Sequence, residues 1–346
     1  MRTLLSAIYF LLLWCWNFLY EHQWIIPKRV KATVVSVGNL TVGGTGKTPF
    51  TIFLAKYYQE RGYAVGIVSR GYKGNYRGAY AVVSDGTTLF GSAKVSGDEP
   101  MMMARQLQGV AIAVSKDRYL GCQLLIEKFK VNLILLDDGF QHRRLHRDLN
   151  LLLIDTTEKN LSLLPKGSMR EKSSATHRAD VVILTRQESD AVAAYPWTCP
   201  TLNTYFSPVA LINTHTGVSQ SPSDLKGEKV LAFCGIGNPH SFLKMLNDLG
   251  AEVCELVIFE DHFNYTALDI EEIIRKSKTL GVKWIVTTEK DAIKIESFLV
   301  SQIDIFVLHI EIGFREPSAV WEQYLRGVPL PFKGRARVGM EVEESH

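Results

Sequence analysis

The sequence predicts an α/β fold, with two α/β/α domains built on largely parallel sheets and a membrane-associated helix ahead of them. Three observations carry this. From Ala32 onward, short β-branched runs alternate with stretches of helical period, the signature of strand–helix–strand units. The runs LILL (133–136) and LLLI (151–154) are apolar without interruption, as in strands buried on both faces of a doubly wound sheet. Glycine-rich segments fall where strands hand over to helices, the ligand-binding edge of such folds.

The first element is the N-terminal run. It carries no charge from Thr3 to Tyr20 and is followed by Trp24, Pro27, Lys28, Arg29 and Lys31. Its length is near the lower limit for crossing a hydrocarbon core of roughly 30 Å. No small-x-small cleavage pattern precedes the basic cluster, which argues against a cleaved signal peptide. A buried core helix competes with membrane attachment. Apolar character nearly all round favours insertion, and the basic cluster places the following chain in the cytoplasm.

Next come a strand at Ala32–Val37, a helix at Pro49–Arg61 ending at Gly62, a strand at Tyr63–Ser69 and a glycine-rich stretch, Arg70–Gly78. Strands at Val110–Ser115 and Val131–Leu136 flank a helix near Arg118–Lys130, and Leu149–Ile154 and Val181–Thr185 complete the first series. Prolines and hydroxyl residues in 191–223 read as a connection, with room for a strand at Thr201–Asn213. A second series follows: strand Lys229–Cys234, a helix to Leu249, a strand near Leu256–Phe259, helix Asp269–Leu280, strands Trp284–Thr288 and Ile303–His309, and helix Ser318–Arg326. The tail after Gly334 reads as polar and frayed. The expected boundaries are therefore 1–30 for the helix and basic segment, 31–200 for a nucleotide- and acceptor-binding domain, 201–223 for a linker, and 224–346 for a smaller domain closing over the site.

Hydrophobic residues at 46% and charged residues at 22% exclude wholesale disorder. A net charge of +3 asks for no nucleic-acid partner, and nothing in the sequence points to an obligate protein partner. The 5 cysteines show no paired spacing, which leaves reduced thiols and no structural zinc.

The strongest motif is Val42-Gly43-Gly44-Thr45-Gly46-Lys47-Thr48, placed between a strand and a helix. Such a loop turns backbone N–H groups inward to cradle phosphates, with the helix N-terminus behind them. Lys47 then reaches the β- and γ-phosphates of ATP, and the Thr48 hydroxyl is placed to ligate Mg2+. The general pattern has glycine where this chain has Thr41. The strand 133–136 ends in Asp137-Asp138; two adjacent carboxylates at a sheet edge repel unless a cation lies near, which points to a Walker-B-type Mg2+ site. Other strand ends bring Arg70 and Tyr72, Asp98 in GDEP, Arg118 after Lys116-Asp117, Gln141 and His142, and Arg170 and Glu171. Taken together, these suit phosphoryl transfer to a phosphate-bearing acceptor. In the second series, His262 between carboxylates is a proton-transfer candidate. Thr288-Glu289-Lys290-Asp291 resembles a guanine-reading motif but fails its spacing, and neither Lys290 nor Asp291 acquires a role.

Taken in order, Val37-Gly38-Asn39, GGTGKT, Ser69-Arg70-Gly71-Tyr72, GDEP, DDGFQH, PKGSMRE, EDHF and TEKDAIK resemble the tetraacyldisaccharide 4'-kinase (lipid A 4'-kinase) family, a branch of the P-loop kinases. The resemblance runs from the N-terminal helix to about Lys294. It implies ATP-dependent phosphorylation of the 4'-hydroxyl of a tetraacylated glucosamine disaccharide 1-phosphate at the inner membrane, with the nucleotide between two domains. By motif position, Lys47 contacts the phosphates, and Thr48, Asp137 and Asp138 serve the metal with help from Glu171. Asp98, paired with His262, activates the acceptor hydroxyl, while Arg70, Tyr72, Arg118, Gln141, His142 and Arg170 position acceptor or transferring phosphate. The competing class is a membrane-bound P-loop ATPase switch of the SRP-like or MinD-like type, which would hydrolyse nucleotide without an acceptor. Strand ends rich in Arg, His and Asp, and a second α/β domain, weigh against it.

Overall fold

In the computed structural model the uncharged N-terminal run is helix α1 (Arg2–Glu21). The structure describes residues 2–157, 161–186, 198–295, 298 and 304–326. The expected polar tail, and residues 191–197 at the start of the expected connection, lie outside the described residues.

After α1 come β1 (Thr33–Asn39), α2 (Lys47–Glu60), β2 (Val65–Ser69), β3 (Tyr80–Asp85), α3 (Ala93–Ser96), α4 (Asp98–Gln106), β4 (Ala111–Ser115), α5 (Arg118–Phe129), β5 (Leu133–Asp137), β6 (Leu149–Asp155) and β7 (Val181–Thr185). Then follow β8 (Thr201–Asn213), β9 (Ser219–Gln220), β10 (Lys229–Cys234), α6 (Pro239–Asp248), β11 (Glu252–Ile258), α7 (Ala267–Leu280), β12 (Trp284–Thr288), α8 (Glu289–Ile295), β13 (Ile305–Phe314) and α9 (Ser318–Leu325). Local chemistry sets the helix starts. Asp117 accepts from the Tyr119 N–H ahead of α5, Asn238 caps α6 with Pro239 at its first turn, and Thr266 and Asp269 form a capping box on α7. Each such cap contributes about 1 kcal/mol.

The described strands form one sheet in the order β11-β10-β12-β13-β8-β7-β6-β1-β5-β2-β4-β3, with β9 on β8. Pairing is parallel except for β3 with β4, β13 with β8, and β9 with β8. The uninterrupted apolar strands lie at the centre, where every residue of β2, β4, β5 and β7 is buried. Dry burial on both faces is what their composition required. Edge strand β3 escapes the sequence pattern: only Val83 and Ser84 of its six residues are buried, so glycine-rich flanks outweigh a short apolar run.

The segment 201–223 carries β8 and β9. Thr201–Asn203 of β8 pair with β7, and Thr204–Asn213 pair antiparallel with β13, so this strand is shared by both halves of the sheet. The C-terminal elements also return to the first half. Phe314 and Trp321 stack at 4.6 Å and meet Phe53 of α2, and the Tyr58 hydroxyl donates to the Leu325 carbonyl at 3.0 Å.

Candidate active site

The C-terminal ends of β1, β5 and β2 converge because the register brings Val37 beside Asp137 and Val68 beside Leu136. Out of β1 the chain runs through residues 40–46 into α2. Gly46 sits at φ 85, and a Cβ there would stand 2.5 Å from the Phe206 ring, so only glycine fits. Thr41, at the position where the general pattern has glycine, is not among the residues of positive φ. It bridges Met169, while Val42 N–H donates to the Ser168 carbonyl at 2.8 Å. An ordinary φ makes the missing glycine harmless.

The loop is braced from behind. Asn39 Nδ2 donates to Thr45 Oγ1 at 2.9 Å, the Thr185 hydroxyl to the Thr45 carbonyl at 3.1 Å, and Arg186 to the Gly44 carbonyl at 2.6 Å. The Gly44 and Thr45 carbonyls are thereby tied away, and although the Thr45 N–H donates to the Gly43 carbonyl at 3.1 Å, a loop of this kind offers its other amides to an anion. Arg186 also pairs with Asp155 and lies over the Phe206 ring. Sequence reasoning passed over Arg186, although it ends a strand just as Arg70 does. Phe206 gave no signal at all.

The two neighbouring carboxylates differ sharply. Arg170 donates to both oxygens of Asp138 at 2.8 Å, and Lys47 Nζ lies 3.6 Å away. Burial alone would raise this carboxyl, but Lys47 and Arg170 outweigh it and hold it down at about 2. Asp137 is buried; its Oδ2 accepts from Ser69 at 2.8 Å and its Oδ1 has no partner. Burial, with Glu99 and Asp138 nearby, pushes it up to about 7. A buried, unpartnered carboxylate oxygen beside a phosphate-binding loop fits a divalent cation. Among the described residues no group of three or more His, Cys, Asp or Glu gathers as an all-protein cage, which matches an ion held by one or two protein ligands plus phosphate and water.

A second cluster spans the two sides of the sheet edge. Gly97, at φ 93, occupies the cap position of α4, so Asp98 is its first residue and leaves capping to the backbone. The Asp98 Oδ2 lies 3.1 Å from Nδ1 of His262. His262 itself takes a left-handed φ of 61 after β11, and its N–H donates to the Gly235 carbonyl at 3.3 Å. Lys290 Nζ is 3.1 Å from His262 Nε2 and 3.0 Å from Asp261 Oδ1. Asp291 is fully buried, accepts from Gly235 N–H, Thr288 and Tyr265, and pairs ionically with Lys294, an anchor for the loop after β10.

The remaining predicted residues are distributed as follows. Tyr72 packs its ring edge-on to His262 at 5.5 Å. Gln141 donates to the Asn39 carbonyl at 2.9 Å. Arg118 is buried, donates to the Ser115 carbonyl and keeps an unpartnered Nε. His142 keeps a buried, unpartnered Nε2, and burial beside Arg118 pushes its ring down to about 4. Arg70 is exposed at the end of β2. Glu171 is brought to Arg178 at 2.7 Å and to Asn17 of α1 at 3.3 Å, with neither carboxylate of the acidic pair among its contacts.

A cavity of about 790 Å³ opens from Gly43–Thr48 across to Ile236–Asn238. Phe206 lines it beside the loop, and Phe242, Met245, Leu308 and Ile310 add apolar lining among polar groups such as His240, Lys244 and Asp248. A phosphate loop and apolar lining within one cavity suit a nucleotide.

Comparisons with known proteins agree with this geometry. The family model described as tetraacyldisaccharide-1-P 4'-kinase matches residues 2–328. The tetraacyldisaccharide 4'-kinase of Syntrophus aciditrophicus is 38% identical over 297 residues, 81% of this chain and 79% of that protein. That of Halothermothrix orenii is 36% identical over 340 residues, 90% of this chain and 88% of that protein. Among solved structures, the Aquifex aeolicus enzyme in complex with ATP superposes with a TM-score of 0.78 at 35% identity, covering 94% of this chain and 98% of that one. A matched model spanning nearly the whole chain, with relatives above a third identical, sets aside a nucleotide switch: this chain belongs to the tetraacyldisaccharide 4'-kinase family.

Proposed function

We propose that the chain transfers the γ-phosphoryl group of ATP to the 4'-hydroxyl of a tetraacylated glucosamine disaccharide 1-phosphate, with Asp98 as general base. The observation that supports this best is the meeting, at one sheet edge, of a phosphate-binding loop and a carboxylate–imidazole pair. Gly43–Thr48 cradle the phosphates and the apolar lining of the cavity takes the base. Lys47, held 3.6 Å from Asp138, reaches the β- and γ-phosphates. Asp98 accepts the hydroxyl proton as the 4'-oxygen bonds to phosphorus in line with the departing bridge oxygen, and ADP leaves. Thr48 and Asp137 would hold Mg2+, which when bound neutralises charge on the phosphates. Arg170, Gln141, Arg118, His142, Arg70 and Tyr72 would position the acceptor and the transferring group.

The substrate's acyl chains put the reaction at a lipid surface, and α1 is the element suited to it. One face of α1 leaves Leu4, Ile8, Leu11, Leu12 and Trp14 exposed, and Trp24 and Ile26 continue the strip. The other face is bonded to the body: Ser6 to the Leu163 carbonyl at 3.1 Å, Tyr9 to the Arg170 carbonyl at 2.8 Å, and Arg143 to Asn17 Oδ1 at 2.8 Å. An all-round apolar sequence favoured insertion. These polar anchors support a helix lying along the cytoplasmic face of the inner membrane. Residues 31–200 would then bind nucleotide and acceptor while 224–346 close over them through the shared strand at 201–213.

The test is incubation of detergent-solubilised protein with ATP-Mg and the disaccharide 1-phosphate, followed by mass spectrometry of the lipid. One added phosphate on the distal sugar is expected. ATP turnover with no phosphorylated lipid would sink the reading.

A further inference from the structure

Arg186 follows β7, outside the phosphate loop and the acidic pair, yet its side chain lines the cavity beside Gly43–Thr48. We infer that Arg186, aimed by Asp155, is a positioning residue that holds the Gly44–Thr45 peptide in the orientation the phosphates of ATP require. The inference rests on that loop being the nucleotide site.

The chain turns sharply where β7 ends. Arg186 takes a left-handed φ of 53, and its carbonyl accepts from the Thr156 hydroxyl at 3.1 Å. A residue with a side chain keeps that backbone only where its surroundings hold it. From there Nη1 donates to the Gly44 carbonyl at 2.6 Å and to Asp155 Oδ2, and the guanidinium stands over the Phe206 ring, 5.2 Å from its centroid. Asp155 ends β6 and pairs with Thr185 in the ladder with β7, so the sheet register itself places the carboxylate that aims Arg186. Nε is buried and finds no protein partner. Both bonds run through a single nitrogen, and losing Asp155 leaves the loop contact unaimed.

A trans peptide points its C=O and its N–H in opposite directions. Fixing the Gly44 carbonyl against Arg186 therefore fixes which way the Thr45 N–H faces. Thr45 is held at two further groups, its carbonyl by Thr185 at 3.1 Å and its hydroxyl by Asn39 at 2.9 Å. Its N–H donates to the Gly43 carbonyl at 3.1 Å. Gly43, at φ 110, and Gly44 both have open space where a Cβ would stand, so the 43–44 peptide is the piece able to turn aside when an anion arrives. Arg186 holds the peptide that must stay. Charge is the lesser part of its task, because the Asp155 carboxylate offsets the guanidinium at contact distance.

The test uses full-length protein in detergent, with ATP binding read by calorimetry in the absence of lipid acceptor and initial rates read in its presence. Arg186→Gln is expected to weaken ATP binding about tenfold, the scale of freeing the backbone of one residue. KM for ATP should rise by a similar factor, while kcat at saturating ATP falls less than about threefold. Asp155→Asn keeps the shape and an acceptor but removes the charge, and should weaken ATP binding about threefold. An Arg186 acting through charge alone would do the opposite there, since an unbalanced cation would then line the cavity. Unchanged or tighter ATP binding in Asp155→Asn would overturn the proposal, whether or not Arg186→Gln folds. So would a folded Arg186→Gln that binds ATP within about twofold of wild type, or a loss confined to kcat, which would put Arg186 on the transferring group. Wild-type protein that bound no ATP would remove the nucleotide reading of the loop and the inference with it, a failure seen before any variant is made.

Discussion

The two chemical centres of this cleft are built in opposite ways. On the nucleotide side, Lys47, Asp138, Arg170 and Ser69 all come from the first half of the sheet, and their bonds are made without help from the second. At the second centre the halves meet through Asp98 and His262, Glu99 and Lys290, and Gln106 and Glu289 at 2.6 Å. One centre is standing equipment. The other is assembled across α4 and α8, so on the proposed function proton abstraction would depend on the arrangement of the halves, and phosphate binding would depend on it less.

Substitutions can break that contrast. The largest expected effect is Lys47→Ala. Removing the cation aimed at the transferring phosphate should cost about 10³–10⁴ in kcat and also abolish slow ATP hydrolysis, with far-UV circular dichroism unchanged. Next is Asp98→Asn, expected to lower lipid phosphorylation by about 10²–10³ while ATP affinity by calorimetry stays within about threefold. If ATP binding collapsed in Asp98→Asn, the two centres would not be separable.

Asp137 sharpens the comparison through pH. Its folded-state carboxyl is raised to about 7, above the ordinary value of 3.8, so the nucleotide-free fold holds a proton that the unfolded chain has released. That contribution is full below the ordinary value and is lost as pH rises through about 7. The thermal midpoint of nucleotide-free protein should therefore increase from pH 8 to pH 6, and Asp137→Asn should flatten that slope. Asp138 runs the other way, its contribution present above the ordinary carboxylate value and lost as pH falls toward about 2. A slope unchanged in Asp137→Asn would remove this carboxyl as its source. The smallest effect is Tyr9→Phe, which deletes one hydrogen bond to the Arg170 carbonyl. About 1 kcal/mol of stability and a change of a few-fold in activity on vesicles are expected, read by thermal melts and initial rates.

The sequence disclosed what is local. The loop Gly43–Thr48 and the pair Asp137-Asp138 are contiguous, and flanking strands with uninterrupted apolar runs make their place at the sheet edge readable. Most strands fall within a residue or two of their expected positions for the same reason. What escaped depends on distance along the chain. His262 and Asp98 are 164 residues apart, and their pairing came from family likeness and not from periodicity. Arg186 and Phe206 brace the loop from β7 and from a strand shared by both halves. Nothing in a proline-bearing connection announced that a phenylalanine there would face Gly46. Nor did two adjacent aspartates reveal that one is gripped by Arg170 and the other left with a bare oxygen.

The bonds along α1 have a mechanical outcome. Ser6 and Asn17, separated by about 16 Å of helix at 1.5 Å per residue, are both fastened to the segment 163–178 or its neighbours. A helix pinned at both ends cannot tip upright in a bilayer and keep those bonds. Whatever height its bare leucines settle at, Arg170 settles with them, because Tyr9 holds its carbonyl. If α1 lies on the leaflet as proposed, it would act as a depth gauge, setting how far a sugar must rise before it meets the phosphate.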